Sequence, residues 1–472
     1  MKRRDFVKLS GAAVAGLEAS RRFEAQEVRA ESGDAGSRKP NILMITCHDI
    51  GQHIGCYGVE TVRTPNLDAL AGKGIRFANY FATDCVCSPS RGCILTGRYP
   101  QANGLMGLTH EPWGWSFNEG QRHVAAILKD AGYQTTLAGL QHVTSGDPHK
   151  LGYEKVLSEK RIARETVAAA RQELRKAGKG DRPFFMKVGF FEVHRPFTVG
   201  KDTEKGVFIP HHLKDTPEIR EDLAQFQATI RFFDKCVGEI LNALESSEVA
   251  DDTLVIFTAD HGIPHPGAKW TLFDPGIETP LIMYWPGTKL EGGRVIKQLM
   301  SNVDFLPTLL DLIGVKIPNN LHGHSFKKVV QGTEKLSPRS EIYAQRTSHA
   351  LYDNLSRCVR TERYKLIRYF EPGRTVIYPT DAVPQRVAQH VERPRRKSGR
   401  RPVVELYDLR ADPHERNNLA QTPKYAELVA ELSDKLWTWM ESVNDPLLKG
   451  PLPTPYYKEA MQDYHQRFRR SR

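Results

Sequence analysis

Residues 40–49 read PNILMITCHD. A short apolar run bounded by polar residues reads as a buried strand, and this one runs straight into Cys47, His48 and Asp49. A second run, TLVIFTADHG at 253–262, repeats the arrangement and ends in Asp260, His261 and Gly262. In an open α/β sheet the ligand crevice lies beyond the carboxyl ends of the strands, so the two clusters are expected to meet there. Carboxylates with imidazoles suit a divalent cation, and a carboxylate-dominated set leans to Ca2+ or Mg2+. A single Asp-His pair is more often a turn or a helix cap. Two of them, each at the end of an apolar strand, carry the metal reading further.

Outward from these strands the chain alternates. Residues 122–132 (RHVAAILKDAG) have helical spacing and stop at a glycine, 133–138 read as a strand, and 184–191 (FFMKVGFF) as another buried strand. Residues 218–245 form an amphipathic pattern through Ile219, Leu223, Phe226, Ile230, Phe233 and Val237, and 303–313 read as a helix. This alternation predicts an α/β fold with a large, mostly parallel sheet flanked by helices. Past Ser340 the texture changes. Residues 357–369 and 403–409 read as strands and 425–443 as a closing helix, which predicts a smaller C-terminal α+β subdomain containing an antiparallel sheet. The expected division is 38–340 for the first domain and 341–472 for the second. Residues 382–402, with Arg393, Arg395, Arg396, Lys397, Arg400 and Arg401, read as a solvated basic loop.

The chain has 472 residues and a formal net charge of +11. No apolar run approaches the ~18 residues of a spanning helix, so stable membrane insertion is not expected. The charge alone fits nucleic acid, an anionic surface or an acidic polymer. Residues 1–17, MKRRDFVKLSGAAVAGL, resemble a twin-arginine export signal within residues 1–30. That resemblance implies the twin-arginine machinery as a partner and the periplasm or secretion as destination. The basic excess survives removal of this segment. Seven cysteines, an odd number in a long chain, do not describe a disulfide-stapled miniprotein. Three of them, Cys85, Cys87 and Cys93, crowd together.

Residues 87–100 read CSPSRGCILTGRYP. Pro89 fixes the backbone near a helix start, where free N–H groups favour an anion, and Arg91 stands beside it. Cys87-Ser88-Pro89-Ser90-Arg91 followed by Leu95-Thr96-Gly97-Arg98 resembles the signature of the formylglycine-dependent sulfatases of the alkaline-phosphatase superfamily. The resemblance continues through Thr64-Pro65-Asn66-Leu67-Asp68, Gly74-Ile75-Arg76-Phe77, Asp260-His261-Gly262 with Lys269, and Leu406-Tyr407-Asp408-Leu409. It implies that a dedicated maturation enzyme oxidises Cys87 to formylglycine, whose hydrate is the nucleophile. One hydroxyl attacks sulfur and the other then expels sulfate, so covalent catalysis splits one hard hydrolysis into two steps. It implies Ca2+ held by Asp49, Asp260 and His261 with the oxygen made at Cys87, and with His48 at the position of a second aspartate. It further implies that Arg91, His142, His194 and Lys269 work on the sulfate, His194 in protonating the leaving group.

Two positions depart from the family pattern. His48 replaces a carboxylate, and imidazole is a poorer partner for Ca2+. Leu140 stands where the family has a sulfate-binding lysine, although His142 keeps its histidine. Gly104-Leu105-Met106-Gly107-Leu108 and Gly262-Ile263-Pro264-His265-Pro266 resemble the heparan N-sulfatase (N-sulfoglucosamine sulfohydrolase) branch. The expected substrate is therefore a sulfated saccharide, not nucleic acid, cut at a sulfamate or a sulfate ester. Other readings stay open: an O-sulfatase on another polysaccharide, a phosphonate or phosphate ester hydrolase, and a glycan-binding pseudoenzyme. Trp113-Gly114-Trp115 is read equally as a stacking surface for a sugar and as packed core.

Overall fold

The apolar run at the first metal-type cluster forms strand β1 (Asn41–Cys47), buried along its whole length. Burial on both faces is what a central parallel strand needs, and it explains why the run shows no polar alternation. The computed structural model describes residues 39–178, 180–347, 355–370, 384–390 and 402–450. The expected export signal and most of the basic segment at 382–402 lie outside the described residues.

Nine further strands follow in the N-terminal part. They are β2 (Ile75–Phe77), β3 (Tyr80–Phe81), β4 (Gln134–Gly139), β5 (Lys155–Ser158), β6 (Phe184–Gly189), β7 (Thr253–Ala259), β8 (Leu281–Tyr284), β9 (Arg294–Ile296) and β10 (Met300–Ser301). Eight of the ten form one sheet in the order β5-β4-β6-β1-β7-β8-β2-β9, while β3 and β10 pair separately. The run from β5 to β7 is parallel; β8 is antiparallel to both β7 and β2. Cys47 is in register with Ala259, so β1 and β7 deliver residues 48–49 and 260–261 side by side.

Helices close both faces. Helices α1 (Pro65–Lys73), α2 (Cys87–Thr96), α3 (Pro100–Asn103), α4 (Val124–Asp130), α5 (Ala163–Leu174) and α6 (Pro217–Glu245) precede β7. One core packs α1, α5 and α6 against Leu43, Ile45 and Phe257. The other packs α2, α4 and the helix Phe305–Leu312 against Ile42, Met44 and Ile256. The odd and even residues of β1 thus serve two different cores.

The C-terminal sheet runs β11 (Glu341–Arg346), β12 (Ser356–Thr361), β13 (Tyr364–Tyr369), β14 (Val404–Asp408) in that order, all antiparallel. The stretch 357–369, read from sequence as one strand, is a hairpin. The Thr361 hydroxyl accepts from the amides of Arg363 (3.3 Å) and Tyr364 (2.9 Å), which turns the chain within an otherwise extended pattern. The closing helix Ala426–Ser442 covers this sheet through Leu432, Leu436, Trp439 and Met440. A buried ion cluster binds the sheet to the loop after β7. Asp274 accepts from Arg360 (3.0 Å) and Lys365 (2.5 Å), and Glu415 accepts from Lys365 (2.7 Å). Ions this dry add little net stability over an apolar contact, but removing one partner is costly.

All seven cysteines are free thiols. Among the described residues no helix is long and apolar enough to cross a membrane.

Asp84 sits just ahead of α2. Its carboxylate accepts from the Val86 amide (2.9 Å) and from Gln345 Nε2 (3.2 Å). Burial pushes its pKa up to about 8, against the pull of Gln345 and Arg357. A carboxyl raised in the folded state stabilises most below its unfolded pKa of about 4 and loses that contribution as pH rises toward 8. Asp84→Asn is therefore expected to flatten the stability profile between pH 4 and 8. Thermal melts should show the variant gaining on the parent at pH 8 and not at pH 4.

Candidate active site

Cys87 is the first residue of α2, with Val86 as N-cap, and every residue of that helix is buried. Its Sγ lies 3.2 Å from His261 Nε2 and 3.9 Å from Asp49 Oδ1. Ser90, one turn on, donates to the Asp260 carbonyl and accepts from Asn302 Nδ2 at 2.9 Å. These bonds pin α2 against the ends of β1 and β7. Burial pushes the Cys87 thiol well above its ordinary pKa, more than Lys269 draws it down. As a plain thiol it is protonated and a weak nucleophile.

Asp49 and Asp260 are both fully buried. The Asp49 amide donates to Asp260 Oδ1 at 2.9 Å, locking one loop onto the other. Lys269 Nζ donates to Asp49 Oδ2 at 2.7 Å. Arg91 bridges Asp260 Oδ2 (3.0 Å) and the Cys47 carbonyl (2.8 Å). Burial would raise the Asp49 carboxyl, but Lys269, His194 and His261 together hold it well below the usual range. Asp260 is likewise raised by burial and brought well below it by His261, Arg91 and His48. Both therefore remain charged. Asp49 (φ 50°), His142 (φ 57°) and Trp270 (φ 65°) all adopt left-handed backbone that non-glycine residues avoid, a strain that gathers at this site.

The expected ligands come together unevenly. Atoms of His48, Asp49, Cys87 and Asp260 lie within 4.8 Å of one another, and His48, Cys87 and His142 form a second such group. His261 joins them, its Nε2 3.3 Å from Asp49 Oδ1 and 3.9 Å from Asp260 Oδ1. His48 Nδ1 is 2.9 Å from Asp260 Oδ2, whereas its buried Nε2 has no hydrogen-bond partner among the described residues. Two carboxylates, adjacent imidazoles and an orphaned ring nitrogen fit a divalent cation.

His194 Nδ1 lies 2.6 Å from the Arg195 carbonyl, so that nitrogen carries the proton and Nε2 faces Asp49 at 3.8 Å. Burial, with Lys269, lowers its pKa to about 3, so the ring is neutral. Arg195 holds this turn in place, clamping Asp222 and donating to the Pro264 carbonyl at 2.9 Å.

At the departing position, Leu140 is buried and its carbonyl accepts from Lys187 Nζ at 3.0 Å. Lys187 was not singled out by the sequence reading, although a lone lysine inside the apolar strand FFMKVG was the available signal. Burial, then Arg91, holds its pKa well below that of an ordinary lysine. His110, Arg161 and Phe191 were also missed. His110 stacks on His142 with ring centroids 5.4 Å apart, Phe191 lies 4.8 Å from His194, and the Arg161 guanidinium lies 5.3 Å from Phe191. No local pattern marks them, because the fold alone brings these loops together. Trp113 meets His110 at 5.0 Å, half-buried, while Trp115 is core.

A family model described as Sulfatase matches residues 40–315, and one described as N-sulphoglucosamine sulphohydrolase, C-terminal, matches residues 267–400. An ulvan-active sulfatase from Formosa agariphila is 30% identical, covering 90% of this chain and 84% of its own. The N-sulphoglucosamine sulphohydrolase of Homo sapiens is 27% identical, covering 88% of this chain and 92% of its own. A solved 2-O GAG sulfatase superposes with a TM-score of 0.67 at 21% identity, covering 88% and 95% of the two chains, and that likeness speaks to the fold. The α/β sheet, the meeting of β1 and β7 at Cys87 and these matches lead to one conclusion: the chain belongs to the sulfatase family and is a sulfuric ester hydrolase.

Proposed function

We propose that the protein hydrolyses sulfamates or sulfate esters of sulfated saccharides, with N-sulfoglucosamine as the leading substrate. The observation that carries this reading is the position of Cys87 at the first turn of α2, facing Asp49 and His261 with Lys269 and Arg91 behind them. Likeness to the human N-sulphoglucosamine sulphohydrolase and the match to its C-terminal model support an amine-linked sulfate. The ulvan-active relative supports the second reading, an O-sulfatase on another polysaccharide. A phosphate monoester would bring more negative charge, and Leu140 offers none of the cationic contact that a lysine would.

Formylglycine made from Cys87 would supply the nucleophile, and Ca2+ would supply positive charge beside it. Asp49 and Asp260, with His48 and His261, would hold the ion. Lys269 and Arg91 offer fixed positive charge to the sulfuryl oxygens. The free amides of α2's first turn add to that field. His194 accepts protons through Nε2, and an anionic substrate raises its basicity, so that it can pass a proton to the departing amine or alcohol. A maturation enzyme and twin-arginine export act before this chemistry, with the periplasm or secretion as destination. Cell fractionation should then find the mature chain outside the cytosol, and full cytosolic retention would contradict the route.

Cys87→Ala should lower sulfate release by about 10³-fold or more, since the nucleophile is lost. Mass spectrometry of the wild-type peptide holding residue 87 should give the aldehyde mass; an unmodified thiol in fully active protein would sink the mechanism. In the same assay N-sulfoglucosamine should outpace O-sulfated glucosamine, and the reverse order favours the second reading.

Chelation should abolish activity and Ca2+ should restore it. His48→Asp supplies a hard oxygen and is expected to lower the Ca2+ concentration needed. Activity of that variant without any Ca2+ would contradict a metal role at this position.

A further inference from the structure

The mouth of the site is a band of ring-bearing side chains with a guanidinium at one end. It begins at Trp113 and His110 and passes His142, whose Nε2 is 3.4 Å from His110 Nδ1. It continues to His48, 5.2 Å from His142 and 5.7 Å from Phe191, and ends where Arg161 lies over the Phe191 ring. Trp113, His110, His142 and Phe191 are half-buried and Arg161 is exposed, whereas Cys87, Asp49 and Lys269 beneath them are closed off. Apart from buried His48, the band therefore lies on the solvent side of the site.

Its charges are unevenly answered. Arg91 is committed to Asp260 and Lys269 to Asp49. Of the acidic groups near Arg161, Glu165 pairs with Lys160 at 3.0 Å, and Glu192 accepts from the Ala163 backbone. Arg161 makes no ion pair or hydrogen bond with any described residue. A guanidinium resting on an aromatic face keeps its plane and its donors available, and it matches carboxylates and sulfates in a bidentate fork.

We propose that Arg161 is a specificity-determining residue that engages a second anionic group, a carboxylate or a sulfate, on the saccharide whose scissile sulfate faces Cys87. The saccharide crosses the band between the two, with His110 and Trp113 bordering its far side. This rests on the saccharide reading above and adds to it a second charge on the substrate.

The test compares Arg161→Met and Arg161→Lys with wild type on four probes. These are 4-nitrophenyl sulfate, singly N-sulfated glucosamine, the same sugar with a second sulfate, and its disaccharide with a uronate. Arg161→Met should lose about tenfold or more in kcat/KM, through KM, on probes with a second anion. It should leave kcat, the melting temperature and both singly sulfated probes unchanged. Arg161→Lys should recover part of the loss, since the point charge returns without the fork. A loss confined to the disulfated sugar assigns the partner as sulfate; one confined to the uronate assigns it as carboxylate. Equal losses on all four probes, or none on any, overturn the proposal. If wild type releases no sulfate from any saccharide, the saccharide reading itself fails and this inference goes with it. Cleavage of saccharides with no discrimination by Arg161→Met overturns the inference alone.

Discussion

Two carboxylates, Asp49 and Asp260, are held side by side out of water because parallel strands β1 and β7 end in register. Charges so placed repel each other and pay heavily for lost hydration. Much of the surrounding structure answers that problem. Lys269 and Arg91 each take one carboxylate, the Asp49 amide ties Asp260, and α2 is anchored by Ser90 to the same strand end. The position of Cys87 follows from this compensation, since Ser90 and Arg91 bind the strand ends one turn after it. The same concentration of charge that would destabilise an ordinary core makes an anion site once a cation enters.

The two strands, their acidic ends and the helix bearing Cys87 were legible because each is local. A continuous apolar run, a proline near a helix start and a run of named residues need no knowledge of the rest of the chain. What stayed hidden depends on distant pairings. The hairpin at 361–364 was masked because Glu362 and Arg363 resemble strand-edge residues, and only the Thr361 hydroxyl turns the chain there. His142 is marked in sequence by its context; the structure sets it within ligating distance of His48 and Cys87, a relation that β4 and β1 create without touching in sequence. His261, expected as a ligand, has its Nε2 within 3.9 Å of Asp49, Asp260 and Cys87.

Leu140 and Lys187 form a linked pair. Leucine removes a cation from the loop after β4, and a lysine appears in the neighbouring strand with its nitrogen bonded to the leucine carbonyl. Its nitrogen is bonded to backbone beneath the site, near Arg91, where burial holds its pKa well below that of an ordinary lysine. The net effect is a pocket whose inner cations Arg91 and Lys269 are committed to carboxylates, with Arg161 making no ion pair among the described residues at its rim.

The ion cluster around Asp274 has a consequence for modularity. Asp274 follows Lys269 and the strained Trp270 by only a short loop, and Trp270's carbonyl accepts from Arg346 at 2.6 Å. The C-terminal sheet thus buttresses the very segment that presents Lys269 to Asp49. The boundary visible in the strand order is not a seam along which the chemistry can be cut. A chain ending after the parallel sheet would keep both metal-type clusters and the helix of Cys87, yet lose the scaffold that aims its lysine.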